Sequence, residues 1–368
     1  MYTVKGHFAS LSGNHYEIGR KQGEFVRNNL HLLSQFIQQE KFIADEHWKE
    51  SRNILEQYCP GINEEIEGFC DVLKIFPRQI MYYYQTLLKA GCSHCALLPH
   101  KTDLKHTYVL RNYDLSPQID DMRFCSTHVT GSYYHSGFST QFFGRTEGMN
   151  EHGVSITFSA CGQPVGDIEG MKNPRVNGLQ CFAVIRVLLE KCKSVQEAIL
   201  LIEEMPIAAN INVIISDCFE AAQIEIFDGH KYVTRIEEDT QDFIVSTNHA
   251  ASSTIKKINN RKLEHSSNRF HVLHDCLVQN EYISMEALKN LVEREYPAGL
   301  TVHNYQEWFG TLHSLLFDLH ERTIDVCFGS PLLNKWYSLK VGEELPFSEV
   351  DVNFVNQLYA DFWRVEDN

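Results

Sequence analysis

Cys92 is the residue whose type and position most favour chemistry. Cysteine is the most nucleophilic common side chain, and it reacts as the thiolate. Cys92 follows a glycine, precedes Ser93 and begins a strand-like segment. If the Gly91–Cys92 bond is cut, the new α-amino group can accept the thiol proton, because the two groups have similar pKa values of about 7.7 and 8.5. A buried cysteine that only fills space is the alternative interpretation.

Charged and amide side chains stand near the ends of other predicted elements. Arg111 and Asp114 end the next strand, so a hairpin would bring them beside Cys92 to favour the thiolate and orient the amine. Asn248 directly follows an apolar strand and can donate to a developing oxyanion. Arg269 lies in a predicted first helical turn, where a cation is unexpected. A surface ion pair, a turn-forming asparagine and an exposed cation are the purely structural alternatives.

Cys92 and Cys95 also form a Cys-x-x-Cys pair, which is typical of redox sites and of one half of a zinc site. His94, His100 and His106 are near enough in sequence to supply further ligands. A structural zinc site normally has a second ligand pair of similar spacing, and the chain contains no second Cys-x-x-Cys. A redox pair of this kind would open a helix, whereas the residues after Cys95 resemble a strand.

The elements that must position these residues fall into two blocks. The first 90 residues show helical periodicity, in two apolar sets and a third, aromatic-rich stretch: Val26, Leu30, Leu33 and Ile37; Ile62, Ile66, Phe69 and Leu73; Met81 to Leu88. Strands are expected from residue 91 onward, at Cys92–Leu98, His106–Asn112, Val154–Ala160, Ile211–Ser216, Gln223–Phe227, Phe243–Thr247 and Ile324–Gly329. Helices are expected between Asn177 and Met205, at Arg269–Cys276 and at Met285–Val292. Two groups of strands flanked by helices predict stacked sheets with helical outer layers.

Bulk properties exclude several functional classes. The 368 residues are 43% hydrophobic, which is enough for a sizeable core, and the net charge of −15 argues against nucleic acid as a partner. The start has no secretion signal and no run of 18 apolar residues exists, so no membrane association is expected. Eleven cysteines without a secretion signal predict reduced thiols and a cytoplasmic location. No phosphate loop or His-Glu-x-x-His motif suggests a cofactor or a metal.

A series of short motifs, in a shared order over most of the chain, resembles one family. The motifs are Gly13–Gly19 with Gln22 and Gly23, Tyr58–Pro60 through Gly68, Gly91–Ser93, Arg111–Asp114, Glu147–Val154, Thr247–His249, Ser266–Phe270 and Gly329–Pro331. They resemble the penicillin acyltransferase-like (acyl-CoA:6-aminopenicillanate acyltransferase) branch of the N-terminal-nucleophile (Ntn) hydrolases. Three groups are related to this branch: the choloylglycine (bile-salt) hydrolases, the penicillin V acylases and acid ceramidase.

The resemblance implies an α+β fold, a four-layer αββα Ntn-hydrolase sandwich with an N-terminal helical leader. Residues 1–91 would be the leader and residues 92–368 the catalytic body, joined at an autoproteolysis site. Cys92 would be the nucleophile, Arg111 and Asp114 would hold and polarise it, Asn248 would donate to the oxyanion, and Arg269 would support the thiol and the substrate. A backbone N–H near Ala160 would be the other oxyanion donor.

The implied enzyme is an amide hydrolase or acyltransferase that acts on a small-molecule amide or acyl donor without a cofactor. Self-association into a homo-oligomer is left open. A catalytically inactive relative that serves as a binding protein is a further alternative, beside the Cys-x-x-Cys redox or zinc protein.

The spacing of one cysteine departs from the family pattern. Cys95 lies 16 residues before Arg111 and 19 before Asp114, the spacing that bile-salt hydrolases use for their nucleophile. Cys92 is nevertheless favoured, because it follows glycine and precedes serine, whereas Cys95 follows histidine and precedes alanine. The length of the loop between two hairpin strands varies easily.

Overall fold

The order of strands and helices follows the apolar patterns of the sequence in most segments. The computed structural model describes residues 1–29, 32, 37, 43–83, 91–162, 165, 172–236 and 242–367. The strands in these residues, numbered along the chain, are β1 Tyr2–Gly13, β2 Gly91–Leu97, β3 Tyr108–Leu115, β4 Arg123–Val129, β5 His135–Thr140, β6 Gly144–Arg145, β7 Glu147–Asn150, β8 Ser155–Ala160, β9 Ile211–Ser216, β10 Ala221–Phe227, β11 His230–Arg235, β12 Phe243–Ser246, β13 Arg261–Leu263, β14 His303–Asn304, β15 Phe309–Asp318, β16 Thr323–Phe328, β17 Trp336–Lys340, β18 Glu349–Phe354 and β19 Val365–Asp367.

The α-helices of the described residues carry the outer layers. They are α1 His15–Asn28, α2 Asp45–Tyr58, α3 Ile62–Leu73, α4 Cys181–Lys191, α5 Val195–Glu204, α6 Ser253–Lys256, α7 Glu264–Gln279 and α8 Met285–Val292. Two of them begin at a capping side chain, Asn14 or Ser194, which accepts a hydrogen bond from the backbone N–H three residues on. None of the helices in this part of the chain is long and apolar enough to cross a membrane.

Two large sheets face each other and enclose an apolar core. The first sheet has ten strands, in the order β11-β10-β9-β8-β7-β5-β4-β1-β18 with β6 beside β5. The second has seven, in the order β12-β2-β3-β15-β16-β17 with β14 beside β15. Buried side chains from both sheets meet between them, among them Tyr113, Phe124, Phe138 and Leu315. Alternation along each strand leaves the opposite face of each sheet for helices.

Helices cover both outer faces and complete the sandwich. One cluster joins α4 and α5 with β8, β9 and β10 of the first sheet, and it also includes Val26, Leu55 and Phe69 of α1, α2 and α3. A second joins Leu273 of α7 and Leu288 of α8 with the second sheet. The layers therefore run helix, sheet, sheet, helix, and the αββα class expected from the sequence resemblance is confirmed.

The N-terminal block is not wholly helical, which corrects the prediction for its first residues. Tyr2–Gly13 forms β1, which lies inside the first sheet between β4, with which it runs parallel, and β18. Its buried apolar side chains are few, chiefly Phe8 and Leu11, so neither a helical nor a strand period stands out in the sequence. The segment before Gly91 therefore supplies part of the sheet framework of the body.

The helical part of this block agrees with the predictions in one of three places. The pattern Ile62, Ile66, Phe69 and Leu73 lies on α3, as expected. The helix predicted to run to Ile37 ends at Asn28, while Leu30 and Leu33 lie outside the described residues. In the stretch Met81–Leu88, residues 81–83 form a 3₁₀ turn, and the remainder lies outside the described residues.

A buried ionic network ties α1 and α3 to the body. The fully buried Glu65 of α3 accepts from Arg186 of α4 at 2.8 and 2.6 Å and from Gln22 of α1 at 2.5 Å. Burial acts to raise the pKa of Glu65, but Arg186 and His15 outweigh it and lower that pKa to about 2. Gly19 permits the close approach of the two helices, because a Cβ there would lie 1.9 Å from the Glu65 carbonyl oxygen.

We expect Glu65→Ala to lower the free energy of unfolding by about 3–5 kcal/mol, because it leaves a buried arginine without its main countercharge. Glu349→Ala is the control, since it breaks a half-exposed pair with Lys5 at 2.9 Å and should lose at most about 1 kcal/mol. Urea unfolding of both variants measures the difference. Equal losses would contradict the assignment of Glu65 as the anchor of this block.

Candidate active site

The hairpin β2–β3 sets the directions of the predicted site residues. Cys92 pairs with Tyr113, and His94 pairs with Arg111. Because residues opposite each other share a face, the Cys92 thiol and the Arg111 side chain both lie between the sheets. Cys95 lies on the other face, in the cluster with α7 and α8. A strand thus directs the two cysteines of the Cys-x-x-Cys pair to opposite sides, which is unfavourable for a shared metal or a disulfide.

Arg269 of α7 binds the backbone and neighbours of Cys92 on the helix-facing side. Its Nη1 donates to the Cys92 carbonyl oxygen and to Ser93 Oγ, both at 2.6 Å. Its Nη2 donates to Asn248 Oδ1 at 2.8 Å, and His265 Nδ1 lies 3.1 Å from that nitrogen. One buried guanidinium therefore links α7, the start of β2 and the segment that follows β12.

Asp114 supplies the carboxylate beside Arg269. Its Oδ2 lies 3.6 Å from Arg269 Nη1, and its Oδ1 accepts from Thr311 Oγ1 at 2.7 Å and from Asn112 Nδ2 at 2.8 Å. Burial raises the pKa of Asp114 to about 7, against the lowering effects of Arg269 and the Thr311 hydroxyl. A carboxyl group with this pKa can exchange a proton near neutral pH.

Arg111 stands on the thiol side and is held from the first sheet. Its Nε donates to Glu147 Oε2 of β7 at 3.2 Å, and both groups are fully buried. His313 Nε2 lies 3.1 Å from Glu147 Oε1, and its ring is stacked between Phe138 and Tyr113. Burial lowers the pKa of His313, so a neutral imidazole that donates to Glu147 is favoured and Arg111 supplies the countercharge.

The Cys92 thiol is neutral in the intact chain. Its complete burial raises its pKa to about 11; the positive charge of Arg111 acts in the opposite direction, and the negative charge of Asp114 adds to the rise. At pH 7 the thiolate fraction is therefore small, and the thiol needs a base or a change of surroundings to react. Arg111 is the charge best placed to stabilise the thiolate once it forms.

Asn248 touches the nitrogen of Cys92. Its Oδ1 accepts from the Cys92 N–H at 3.0 Å, while its Nδ2 donates to the Ala160 carbonyl oxygen at 3.1 Å. The N–H groups that follow Ala160 bond elsewhere: Cys161 N donates to Asn210 O, and Gly162 N donates to Asn248 O. In the intact chain Asn248 therefore orients the nitrogen of Cys92, and the predicted use of its amide N–H at an oxyanion stays a prediction.

Two nearby histidines form hydrogen bonds with side chains other than that of Cys92. His94 bridges the sheets, with Thr157 Oγ1 at 2.7 Å from one ring nitrogen and Ser159 Oγ at 3.1 Å from the other. His249 Nδ1 lies 2.8 Å from Ser266 Oγ, and burial lowers its pKa to about 3. Both rings are therefore neutral structural groups, and neither is placed as the base of a cysteine–histidine pair.

The structure brings together all five residues predicted from the sequence, which are Cys92, Arg111, Asp114, Asn248 and Arg269. The surroundings of Arg269 differ from expectation in one respect. The helix begins at Glu264, with Leu263 before it, so the serines at 266 and 267 are not its cap and Arg269 lies beyond the first turn. Its charge is explained by Asp114 and by the polar atoms around Cys92.

Sequence reasoning missed the residues that support this group. Thr311 and His313 lie in a fully buried strand, and buried polar side chains need hydrogen-bond partners. A β-bulge between them puts Thr311 opposite Asp114 and His313 opposite Tyr113, so they serve opposite faces although they are two residues apart. The bulge leaves no mark in the sequence. Glu147 belongs to a motif noted above, without a role.

Comparison with known proteins identifies one family. Residues 101–333, more than half of the chain, match the family described as acyl-coenzyme A:6-aminopenicillanic acid acyl-transferase. No curated protein matches the chain.

Solved structures give weaker likenesses. The penicillin V acylase from Agrobacterium tumefaciens has a TM-score of 0.44 at 16% identity, covering 68% of this chain and 86% of its own. A mutant of the conjugated bile acid hydrolase from Clostridium perfringens has a TM-score of 0.46 at 14% identity, covering 73% and 98%. The Caenorhabditis elegans N-acylethanolamine-hydrolyzing acid amidase ortholog has a TM-score of 0.44 at 13% identity, covering 62% and 93%.

We expect Arg111→Met to raise the pKa of Cys92 by about one unit or more, because a cation that favours the thiolate is removed at similar side-chain volume. The pH dependence of alkylation of Cys92 by iodoacetamide, read by mass spectrometry, measures the shift. Cys276 is partly exposed and serves as the internal reference in the same sample. An unchanged midpoint for Cys92 would show that Arg111 does not act on the thiol.

Proposed function

We propose that Cys92 is the nucleophile of this chain, which belongs to the acyl-coenzyme A:6-aminopenicillanic acid acyl-transferase family. The family lies among the Ntn hydrolases, and the chain is accordingly an enzyme that hydrolyses an amide C–N bond or transfers an acyl group. The observation that carries the proposal is the convergence on Cys92 of groups from three separate segments: β3, the residues after β12, and α7. Asn248 and Arg269 hold its nitrogen and its carbonyl oxygen, and Arg111 faces its thiol.

The surroundings of the two neighbouring cysteines support Cys92 over Cys95. Cys95 is fully buried among apolar side chains of β2, β3, α7 and α8, and burial raises its pKa even further than that of Cys92. The positive charge of Arg111 acts to lower the pKa of Cys92, whereas the Cys95 thiol lies on the opposite face of β2. A thiol without a nearby cation is a poor nucleophile at neutral pH.

The first step in this proposal is self-cleavage between Gly91 and Cys92. The Cys92 thiol gives its proton to a base, for which the Asp114 carboxylate has a suitable pKa, and Sγ attacks the Gly91 carbonyl carbon. The C–N bond breaks, the Cys92 nitrogen takes up the proton, and water then hydrolyses the thioester. Residues 1–91 would then be a separate polypeptide that stays associated, and residues 92–368 would form the catalytic body.

Turnover then uses the α-amino group as the base. It takes the thiol proton while Sγ attacks the acyl carbonyl, and the tetrahedral oxyanion collapses as the C–N bond of the substrate breaks. The departing amine receives the proton from the α-ammonium group. Water or a second amine attacks the acyl-thioester, returns its proton through the same amine and regenerates the thiol. Asn248 Oδ1 already lies where it would orient that amine.

The proposed chemistry also indicates the class of substrate, the need for a cofactor and the cellular location. The substrate is a small-molecule amide or acyl donor, and every step above is carried by side chains and backbone of the chain itself without a cofactor. All eleven cysteines are free thiols, which supports a reducing, cytoplasmic location. Association into a homo-oligomer is compatible with the proposal and plays no part in it.

We expect Cys92→Ala to abolish both self-cleavage and turnover, because it removes the only atom that forms the thioester. Cys95→Ala is the matched control and should keep turnover within about tenfold of the wild type, a barrier change of ~1.4 kcal/mol. Intact-protein mass spectrometry follows cleavage, and acyl-adduct trapping with a set of amides follows turnover. The reverse pattern would make Cys95 the nucleophile. Labelling of Cys92 without turnover of any amide would favour an inactive binding protein.

The two polar atoms of the Asn248 side chain can be tested separately. We expect Asn248→Ala to lower kcat about 10²–10³-fold with little change in KM, since it removes a donor to the oxyanion as well as the acceptor for the amine. Asn248→Asp keeps an acceptor oxygen but replaces the N–H donor by a negative charge beside the developing oxyanion, so it should be no more active than the alanine variant. Steady-state kinetics on one amide measure both. An aspartate variant within tenfold of the wild type would refute the oxyanion role.

A further inference from the structure

Gly91 lies directly against the ring of Phe309. A Cβ added to Gly91 would stand 1.8 Å from both the Cε2 and the Cζ atoms of that ring, far inside van der Waals contact. Such a distance cannot be relieved by a small adjustment of one atom. Only a residue without a side chain can therefore occupy position 91 while Phe309 stays in place.

Phe309 is held firmly in place. It is 3% exposed, begins β15 and forms a cluster with Val302 and Phe362. The ring centroids of Phe362 and His265 lie 5.0 and 4.7 Å from it, and the Arg269 guanidinium lies 5.3 Å away on its face. The strands β13 and β19 pair and anchor the C-terminal segment that contains Phe362. The ring has little freedom to retreat from a neighbouring group.

Self-cleavage and turnover share one covalent geometry, if Cys92 is the nucleophile as proposed above. In each reaction a bond forms between Cys92 Sγ and a carbonyl carbon, the C–N bond of that carbonyl breaks, and the released amine takes a proton. In self-cleavage the α-carbon of the acyl group is the Cα of Gly91. In turnover the α-carbon of the substrate is attached to the same thioester and is directed by the same Cys92, Asn248 and Arg269.

We propose that Phe309 restricts this enzyme to acyl groups whose α-carbon is an unbranched methylene. A substituent on the α-carbon in the position of an L side chain meets the Phe309 ring. Acyl groups derived from α-amino acids other than glycine are therefore excluded, and ordinary peptides with them. Straight-chain and arylacetyl groups carry only hydrogen at that position of the α-carbon, so they avoid the contact with the Phe309 ring.

Three anilides with the same leaving amine test this selectivity. They carry the phenylacetyl group and the R and S forms of 2-phenylpropionyl, which differ from it by one α-methyl group. The α-carbon of the acyl group is compared with the Cα of residue 91, and its phenyl ring with the chain that precedes that residue. In this comparison the α-methyl group of the R form takes the position of an L side chain. The two enantiomers have equal intrinsic reactivity, so a difference between them reports contact with the protein.

We expect kcat/KM of the wild type for the R form to be at least about 100-fold below that for phenylacetyl, with the S form less affected. Phe309→Leu should reduce the ratio of kcat/KM for phenylacetyl to kcat/KM for the R form at least about tenfold. Phe317→Leu is the matched control, because it shortens another buried phenylalanine of β15 that lies far along the strand. It should leave the ratio unchanged even if it lowers stability, since a ratio of two substrates does not depend on the folded fraction.

Self-cleavage gives a second measurement that needs no external substrate. Gly91→Ala should slow cleavage at least about 100-fold, and Gly91→Ala combined with Phe309→Leu should recover a large part of the rate. Combination with Phe317→Leu should recover none. Intact-protein mass spectrometry over time follows all four proteins.

The possible negative results distinguish a failure of the Phe309 proposal from a failure of the Cys92 proposal. Equal turnover of the R and phenylacetyl anilides, or cleavage of Gly91→Ala at the wild-type rate, would overturn the role of Phe309 while leaving Cys92 as the nucleophile. A ratio that Phe317→Leu changes as much as Phe309→Leu would do the same. A wild-type chain that neither cleaves itself nor acylates Cys92 with the phenylacetyl anilide would overturn the proposed function, and this inference with it.

Discussion

The Arg269 guanidinium is the interaction on which the rest of the site depends. It donates to the backbone carbonyl oxygen of Cys92, the hydroxyl of Ser93 and the side-chain amide oxygen of Asn248, and it lies next to the Asp114 carboxylate. These groups come from strands and a helix that are distant in sequence, and a single fully buried cation fixes their distances. An arginine suits this position because its planar fork presents several donors in fixed directions. Burial of such a charge is tolerated only with these partners around it.

The intact chain is organised around the backbone of Cys92 and not yet around its thiol. The nitrogen and carbonyl oxygen of Cys92 are both bonded to catalytic candidates, whereas the thiol is buried and has a pKa of about 11. Release of an α-amino group at Cys92 would add a proton acceptor beside the sulfur. It would also give Asp114 a cationic neighbour, which lowers a carboxyl pKa. In the proposed function, cutting one peptide bond would therefore change the protonation of both groups in the direction that nucleophilic attack requires.

The sequence predicts the layers of the fold and five site residues, Cys92 and the four around it, but not the contacts that support them. Continuous apolar strands such as Ile211–Ser216 and helices such as Met285–Val292 are marked by their periodicity, and the structure confirms them. The strand Tyr2–Gly13 carries no comparable pattern, because few of its side chains are buried and it is held by backbone pairing with β4 and β18. Glu147 and His313 come together only through the facing of two sheets and a bulge in β15. No local rule expresses either feature.

The position of β1 bears on what self-cleavage can achieve. A cut at Gly91 would free residues 1–91 covalently, but β1 would stay bonded between β4 and β18, and Glu65 would stay paired with Arg186. Removing β1 would expose two strand edges inside the first sheet, and removing Glu65 would leave a buried arginine without its main partner. The new freedom is therefore confined to the chain end at Gly91, beside Phe309. In the proposed function, cleavage would free the chain end beside Phe309, where the acyl group is proposed to bind, and would leave the framework that holds Arg111 and Arg269 intact.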